Sequence, residues 1–248
     1  EGCRYWDEGT VDSKIIIIKT EKEIIRKKAQ NVIIATGARS RNLPFVSSDG
    51  INIWDYKTAM TPPKLPSSLI IIGSGAIGME FASFYNDLGV NVTVVEALPS
   101  ILPNEDEDIS KIVENNFKKR GMNIKTNATL KSVKTLDKSV SAEVSVNGKI
   151  EKINSEKLIL AIGIIANTEN LGLNNYNIKV EKGHITTNEW LETDEKGIYA
   201  IGDVTAGPWL AHKASHEGIL CVEKIAGHKN LRPIDKNSIP GCTYCRPQ

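Results

Sequence analysis

The stretch that decides the fold is Ser68-Leu69-Ile70-Ile71-Ile72-Gly73-Ser74-Gly75-Ala76-Ile77-Gly78. Its first half is an unbroken apolar run bounded by a turn, the form taken by a strand buried on both faces of a parallel sheet. Its second half spaces three glycines as GxGxxG and opens a helix over 76–88, which Gly89 closes. Asn91-Val92-Thr93-Val94-Val95 then reads as the next strand, with Glu96 at its end.

Each residue type in this unit has a physical task. Gly73 permits the tight turn, Gly75 lets a pyrophosphate approach the backbone, and Gly78 lets helix and strand pack closely. Unpaired N–H groups at the helix start, around Ala76 and Ile77, then face the phosphates. Glu96 accepts hydrogen bonds from an adenosine ribose diol and repels a 2′-phosphate, which favours NAD over NADP. The unit is therefore expected to be a Rossmann-like NAD-binding domain. The alternative is the same turn used structurally, binding another nucleotide or none.

Outward from this unit the pattern changes. Toward the N-terminus, strands are expected over 11–20 and 31–37, followed by a segment broken by prolines at 44, 62, 63 and 66 and holding one short helix capped by Asp55. Beyond Glu96, Asn104 is expected to cap a second helix, with acidic residues at 105–108, basic residues at 118–120 and Gly121 at its end. Ile109, Ile112, Val113 and Phe117 fall on one stripe of that helix. Ala142, Val144 and Val146 alternate with polar residues up to an Asn147-Gly148 hairpin turn, and 157–163 is another buried strand. A strand over 197–202 and a helix over 211–226 complete the pattern.

Composition narrows the function. The 248 residues are 40% hydrophobic and 25% charged with a net charge of +1, so there is no basic footprint for nucleic acid. No apolar run is long enough to span a bilayer, and no secretion signal is visible. Cys3, Cys221, Cys242 and Cys245 form no disulfide framework. The Cys242-Thr-Tyr-Cys245 spacing matches redox and zinc motifs, but it follows Ile239-Pro240-Gly241, precedes Arg246-Pro247 and lacks a second ligand pair, so incidental cysteines in a strand are expected. His212 and His216 stand four apart without a supporting carboxylate pattern, and no metal site is expected.

Two further strand ends carry a resemblance. Ala35-Thr36-Gly37 precedes the Rossmann-like unit, and Ala200-Ile201-Gly202-Asp203 follows it. This arrangement resembles the flavoprotein disulfide reductases that carry two dinucleotide-binding domains, and it covers essentially the whole chain. The resemblance implies an NAD-binding domain inserted in an FAD-binding domain of which this chain holds part. Thr36 and Gly37 would mark where the chain leaves the FAD domain, Gly202 where it has returned, and Asp203 would hold the ribityl chain, with a hydrogen-bonding partner to offset its burial.

Leu210-Ala211-His212-Lys213-Ala214-Ser215-His216-Glu217-Gly218 is similar to the dihydrolipoamide dehydrogenase segment that lays a helix N-terminus against the flavin, implicating Leu210, Ala211 and His212. By the same resemblance Glu80 lies beside the nicotinamide, with a solvated first-turn Glu as the alternative. Thr129 lies near the adenine, and Ala161, Gly163 and Ile164 sit where the NAD domain closes on its cofactor. Many relatives have Arg and Pro where this chain has Ile164 and Ala166, so only backbone contacts are expected there.

The resemblance implies the division 1–40 FAD segment, 41–68 connector, 69–163 NAD domain, 164–237 FAD return and 238–248 start of a dimerisation domain. It further implies dihydrolipoamide oxidation through a disulfide and FAD to NAD, a lipoyl domain as partner, a homodimer, and a bacterial cytoplasmic or mitochondrial matrix setting. The family's redox cysteine pair and first GxGxxG would precede Glu1, and none of the four histidines matches the His–Glu acid/base pair. The chain ends read as boundaries within a longer polypeptide, inactive alone. The other readings are a sibling reductase such as glutathione or mercuric reductase, a non-catalytic NAD-binding fragment, and an unrelated Rossmann enzyme such as a methyltransferase.

Overall fold

The computed structural model describes residues 3–7 and 14–246. The chain forms two compact units, one of Ser40–Ile164 with Cys242–Gln248, the other of Glu1–Arg39 with Ile165–Gly241.

The first unit is built on a five-stranded sheet in the order Ile53–Trp54, Lys157–Leu160, Ser68–Ile72, Asn91–Val95, Asn123–Lys125. All its pairings are parallel. Period-two alternation sends successive side chains to opposite faces, and both faces are buried. Leu69, Ile71, Val92, Val94 and Ile159 enter one core with Met79, Tyr85 and Phe117 from the two helices. Ile70, Ile72, Leu158 and Leu160 enter the other, beneath Ala142 and Val144. Those last two belong to an antiparallel sheet of Ala128–Thr135, Val140–Val146 and Lys149–Ser155, whose final hairpin turns at Asn147 and Gly148, both with positive φ. The architecture is a Rossmann-like α/β unit with a meander covering one face.

Two details of the second helix differ from expectation. The helix is Glu107–Lys119, and its cap is Asp106, whose carboxylate accepts from the Asp108 and Ile109 amides; Asn104 lies in the loop before it. Asp106 directly precedes the first helical residue, so only its carboxylate reaches the second and third helical amides. Of the apolar stripe, Phe117 is fully buried and Val113 partly, whereas Ile109 and Ile112 are 52% and 56% exposed. Ser110 occupies the inward position near the helix start, its hydroxyl donating to the Leu102 carbonyl. The short helix Tyr56–Met60 is capped by Asp55, as expected.

In the second unit, Val32–Ile34 pairs in parallel with Ile198–Ala200. These strands come from either side of the Rossmann-like unit in sequence, so that unit is an insertion between two chain segments that fold together. Lys14–Lys19 pairs with Cys3–Asp7 and Ile24–Ala29, all antiparallel; of the strand expected over 11–20, residues 14–19 are a strand and 11–13 lie outside the described residues. Helix Ala211–Ile225 packs Leu220 and Cys221 against Tyr199 and Leu191. Among the described residues no helix is long and apolar enough to cross a membrane.

Candidate functional site: a glycine turn with a pinned carboxylate, and a second strand-end turn

The strand Ser68–Ile72 lies between Lys157–Leu160 on one side and Asn91–Val95 on the other. Its successor in sequence lies on one side only, so its C-terminal end is a point where connections diverge, the usual place for a crevice in such sheets. A cavity of about 420 Å³ opens there, lined by Gly73, Ser74, Gly75, Glu96, Thr129 and Gly163 among others.

The glycines are required for different reasons. A Cβ on Gly73, whose φ is +97°, would strike the Ala161 carbonyl, and one on Gly78 would strike the Gly73 carbonyl. These two allow strand, turn and helix to touch. A Cβ on Gly75 would meet nothing within 4 Å. Its bare backbone faces the cavity, leaving space for a phosphate. Helix Ala76–Asp87 begins at Gly75 with no side-chain cap and no acidic residue in its first turn. Its leading N–H groups are thus left for a ligand.

Glu96 is 7% exposed at the mouth of this turn. Its Oε2 accepts from the Ser74 amide at 2.8 Å and the Ser74 hydroxyl at 2.7 Å, and its Oε1 accepts from the Leu98 amide at 2.8 Å. Ala161 and Ile162 line the same cavity, and Gly163, at φ +97°, turns the chain away. Ile77 is 41% exposed on the first turn of the helix. Glu80 is in the second turn of that helix rather than the first, and its Oε1 accepts the Tyr244 amide at 2.9 Å. Ile164 is not among the cavity-lining residues. Ser74 and Leu98 did not stand out in the sequence; Ser74 occupies a variable place in the GxGxxG spacing, and the Leu98 contribution is a main-chain amide.

The second unit assembles another strand-end turn. Ile198–Ala200 leads into a 3₁₀ turn, Gly202–Val204, that carries Asp203. Asp203 is half-buried, and no hydrogen bond or ion pair to it is seen among the described residues. The expected partner is thus missing, because the turn is held by other groups. The Gly202 amide donates to Glu217 Oε2 at 2.7 Å, and Glu217 Oε1 pairs with Lys213 Nζ at 3.0 Å. Lys213 also reaches Thr205 Oγ1 at 3.1 Å. Both charged side chains are almost wholly buried, at 0% and 3% exposure. The helix above starts after Leu210 with no side-chain cap, so the amides following Ala211 are open as well. His212 Nε2 lies 2.9 Å from the Pro240 carbonyl. On the strand side, Thr36 Oγ1 donates to the Asn167 carbonyl at 2.7 Å and the Gly37 carbonyl accepts from the Asn167 amide.

A larger groove of about 810 Å³ lies in this unit beside His212, His216 and Arg232. Its lining holds no glycine turn, so the smaller cavity is the better candidate for a nucleotide. Among the described residues no group of three or more His, Cys, Asp or Glu could hold a metal. Cys242 and Cys245 do not lie in a strand as expected, because the amides of Tyr244 and Arg246 donate to the Glu80 and Ser83 side chains; Cys242 is exposed, and Cys245 is buried, its thiol pushed up by desolvation.

Known proteins resemble this chain in sequence and in fold. The profile of the family described as pyridine nucleotide-disulphide oxidoreductase matches residues 7–218. The chain is 45% identical to a dihydrolipoyl dehydrogenase of Rhizobium etli, over 98% of this chain and 54% of that protein. It is 46% identical to one of Zymomonas mobilis, over 96% and 52% respectively. The chain therefore spans about half the length of these curated relatives. Among solved structures, LpdA of Mycobacterium tuberculosis superposes with a TM-score of 0.89 at 30% identity, covering 98% of this chain and 53% of that one. RclA of Escherichia coli, a flavoprotein disulfide reductase, shares the fold with a TM-score of 0.79 at 24% identity. With a family match running through both units and across the glycine turn, this chain belongs to the pyridine nucleotide-disulphide oxidoreductases.

Proposed function

We propose that the chain is the NAD-binding portion and part of the FAD-binding portion of a dihydrolipoyl dehydrogenase, the enzyme that passes electrons from dihydrolipoamide through a disulfide and FAD to NAD. The observation that carries this reading is the pinned Glu96 carboxylate beside an open glycine turn, in a chain 45% identical to a dihydrolipoyl dehydrogenase. FAD, when bound, supplies the two-electron carrier between a dithiol and the nicotinamide.

This chain's residues bind and orient. Gly73, Gly75 and Gly78 shape the turn, and the amides at Ala76 and Ile77 receive the pyrophosphate of NAD. Glu96 takes the adenosine ribose diol, Thr129 lies toward the adenine, and Ala161 and Gly163 supply main-chain contacts. Glu80 faces the nicotinamide. For FAD, Asp203 takes the ribityl chain, with Thr36, Gly37 and Gly202 as the strand-end backbone around it. The helix N-terminus at Leu210, Ala211 and His212 stabilises negative charge on the reduced ring. The partly exposed, unpaired Asp203 carboxylate and the uncapped helix fit such a ligand.

The NAD domain is drawn at 69–163, flanked by a connector at 41–68 and FAD segments at 1–40 and 164–237, with 238–248 opening a dimerisation domain. The complete enzyme would be a homodimer serving the lipoyl domain of a 2-oxo acid dehydrogenase complex, in a bacterial cytoplasm or a mitochondrial matrix. The four cysteines include no pair four residues apart on a helix, so the isolated chain is expected to bind NADH without turning over dihydrolipoamide. An assay of dihydrolipoamide-dependent NAD reduction tests this: the purified chain should be silent and the full-length gene product active. Turnover by the 248-residue chain would contradict the division of roles.

A further inference from the structure

We infer that Ser74 is a specificity-positioning residue, holding Glu96 in the orientation that accepts a ribose diol and repels a ribose 2′-phosphate. The inference rests on the reading of the glycine turn as an NAD site.

Ser74 is wholly buried, and both of its donors converge on one carboxylate oxygen, Glu96 Oε2, at 2.7 and 2.8 Å. A hydroxyl has one hydrogen to give, so this one is committed to the carboxylate. The serine cannot drift, because its carbonyl accepts the Leu102 amide at 2.9 Å. Glu96 is fixed at its backbone by two strands, its amide donating to the Lys125 carbonyl and its carbonyl accepting from the Ala128 amide, both at 2.8 Å. Its side chain is therefore what Ser74 controls.

No cation within 4 Å of Glu96 is seen among the described residues. Its negative charge is stabilised by three N–H and O–H donors, two of them from Ser74. Charge-assisted bonds of this kind are stronger than neutral ones, and losing one beside a buried carboxylate lets the group turn toward water. A turned Glu96 would present its charge elsewhere, weakening both the attraction for a diol and the repulsion of a phosphate. A serine at this place serving only the fold would have no reason to aim both donors at the one carboxylate lining the cavity.

The test compares NADH and NADPH binding to the full 248-residue chain by titration of nicotinamide fluorescence, in the parent and in Ser74→Ala. NADH affinity should fall about tenfold while NADPH affinity holds or rises by up to about twofold, so the preference for NADH shrinks by about tenfold or more. In a Glu96→Gln background the same serine substitution should leave the preference unchanged, since the two residues act through one contact. Thermal melting confirms that each variant is folded, and Ser74→Gly, which removes the same hydroxyl, replaces the alanine variant if that fails to fold. Equal losses for both nucleotides, or an undiminished effect in the Glu96→Gln background, would overturn the assignment of Ser74. Failure of the parent chain to bind either nucleotide would instead overturn the NAD reading beneath it.

Discussion

The glycine turn at 73–78 and the turn at 202–204 both end a buried parallel strand beside an uncapped helix N-terminus, yet they hold their carboxylates in opposite ways. At the first, Glu96 receives three donors from its own unit and is almost out of water. At the second, Asp203 has no partner seen among the described residues, and the donors and acceptors are spent on the backbone of the turn through Lys213 and Glu217. One turn fixes its carboxylate; the other fixes its backbone and leaves its carboxylate unpartnered among the described residues. On the proposed reading, the first arrangement suits a domain that binds its nucleotide alone, and the second suits a ligand whose own groups complete the contacts.

Substitutions can break this contrast. The largest effect is expected for Gly78→Ala, where a Cβ meets the Gly73 carbonyl and the neighbouring backbone has no room to yield. Destabilisation of about 4 kcal/mol or more, with NADH binding lost, is the expected result in denaturant melts. Lys213→Met should follow, costing about 3–5 kcal/mol by leaving Glu217 charged and buried beside one amide. Hydrogen exchange should localise that loss to the helix Ala211–Ile225 while NADH binding persists. If instead NADH binding were lost with it, the two turns would not be independent.

Two titrations sharpen the comparison at smaller scale. Tyr85, buried with its hydroxyl donating to the Ala59 carbonyl, is pushed up to about 12 by burial. Its native value lies above the ordinary one, so its contribution is complete below pH of about 10 and is lost as pH rises toward 12, roughly 2–3 kcal/mol in all. Alkaline melts of the parent should show this loss and those of Tyr85→Phe should not. In the other unit, burial pushes the Cys221 thiol up to about 11. At pH 8 a thiol reagent should therefore label the exposed Cys242 promptly and Cys221 only on unfolding.

Much of this was legible in the chain. Strand, glycine turn, helix and following strand stand where the apolar runs and the GxGxxG spacing put them, because short buried strands and glycine turns leave few alternatives. The Asn147-Gly148 hairpin was equally plain, since positive φ at both positions suits those residues. Helix Glu107–Lys119 was found with the wrong cap and too wide an apolar face, because Asp106 competes with Asn104 at equal propensity and Ile109 and Ile112 look no different from core residues. Lys213 and Glu217 were the harder case. A Lys–Glu pair four apart on a helix reads as a solvated pair, and its burial depends on the turn from another segment packing over it. Asp203 erred the other way: a partner was expected, and the turn is held without it.

The central claim is that residues 73–78 with Glu96 form an NAD site within one unit. Its most direct test is NADH titration of the 248-residue chain and of Gly75→Ala, followed by nicotinamide fluorescence. Because a Cβ at Gly75 meets nothing within 4 Å, that variant should melt within about 1 kcal/mol of the parent, yet lose at least about tenfold in NADH affinity as the methyl fills the phosphate space. Saturable NADH binding, weakened in this way with the fold intact, is the predicted result. Unaltered affinity in Gly75→Ala, or no binding by the parent chain, would contradict the account.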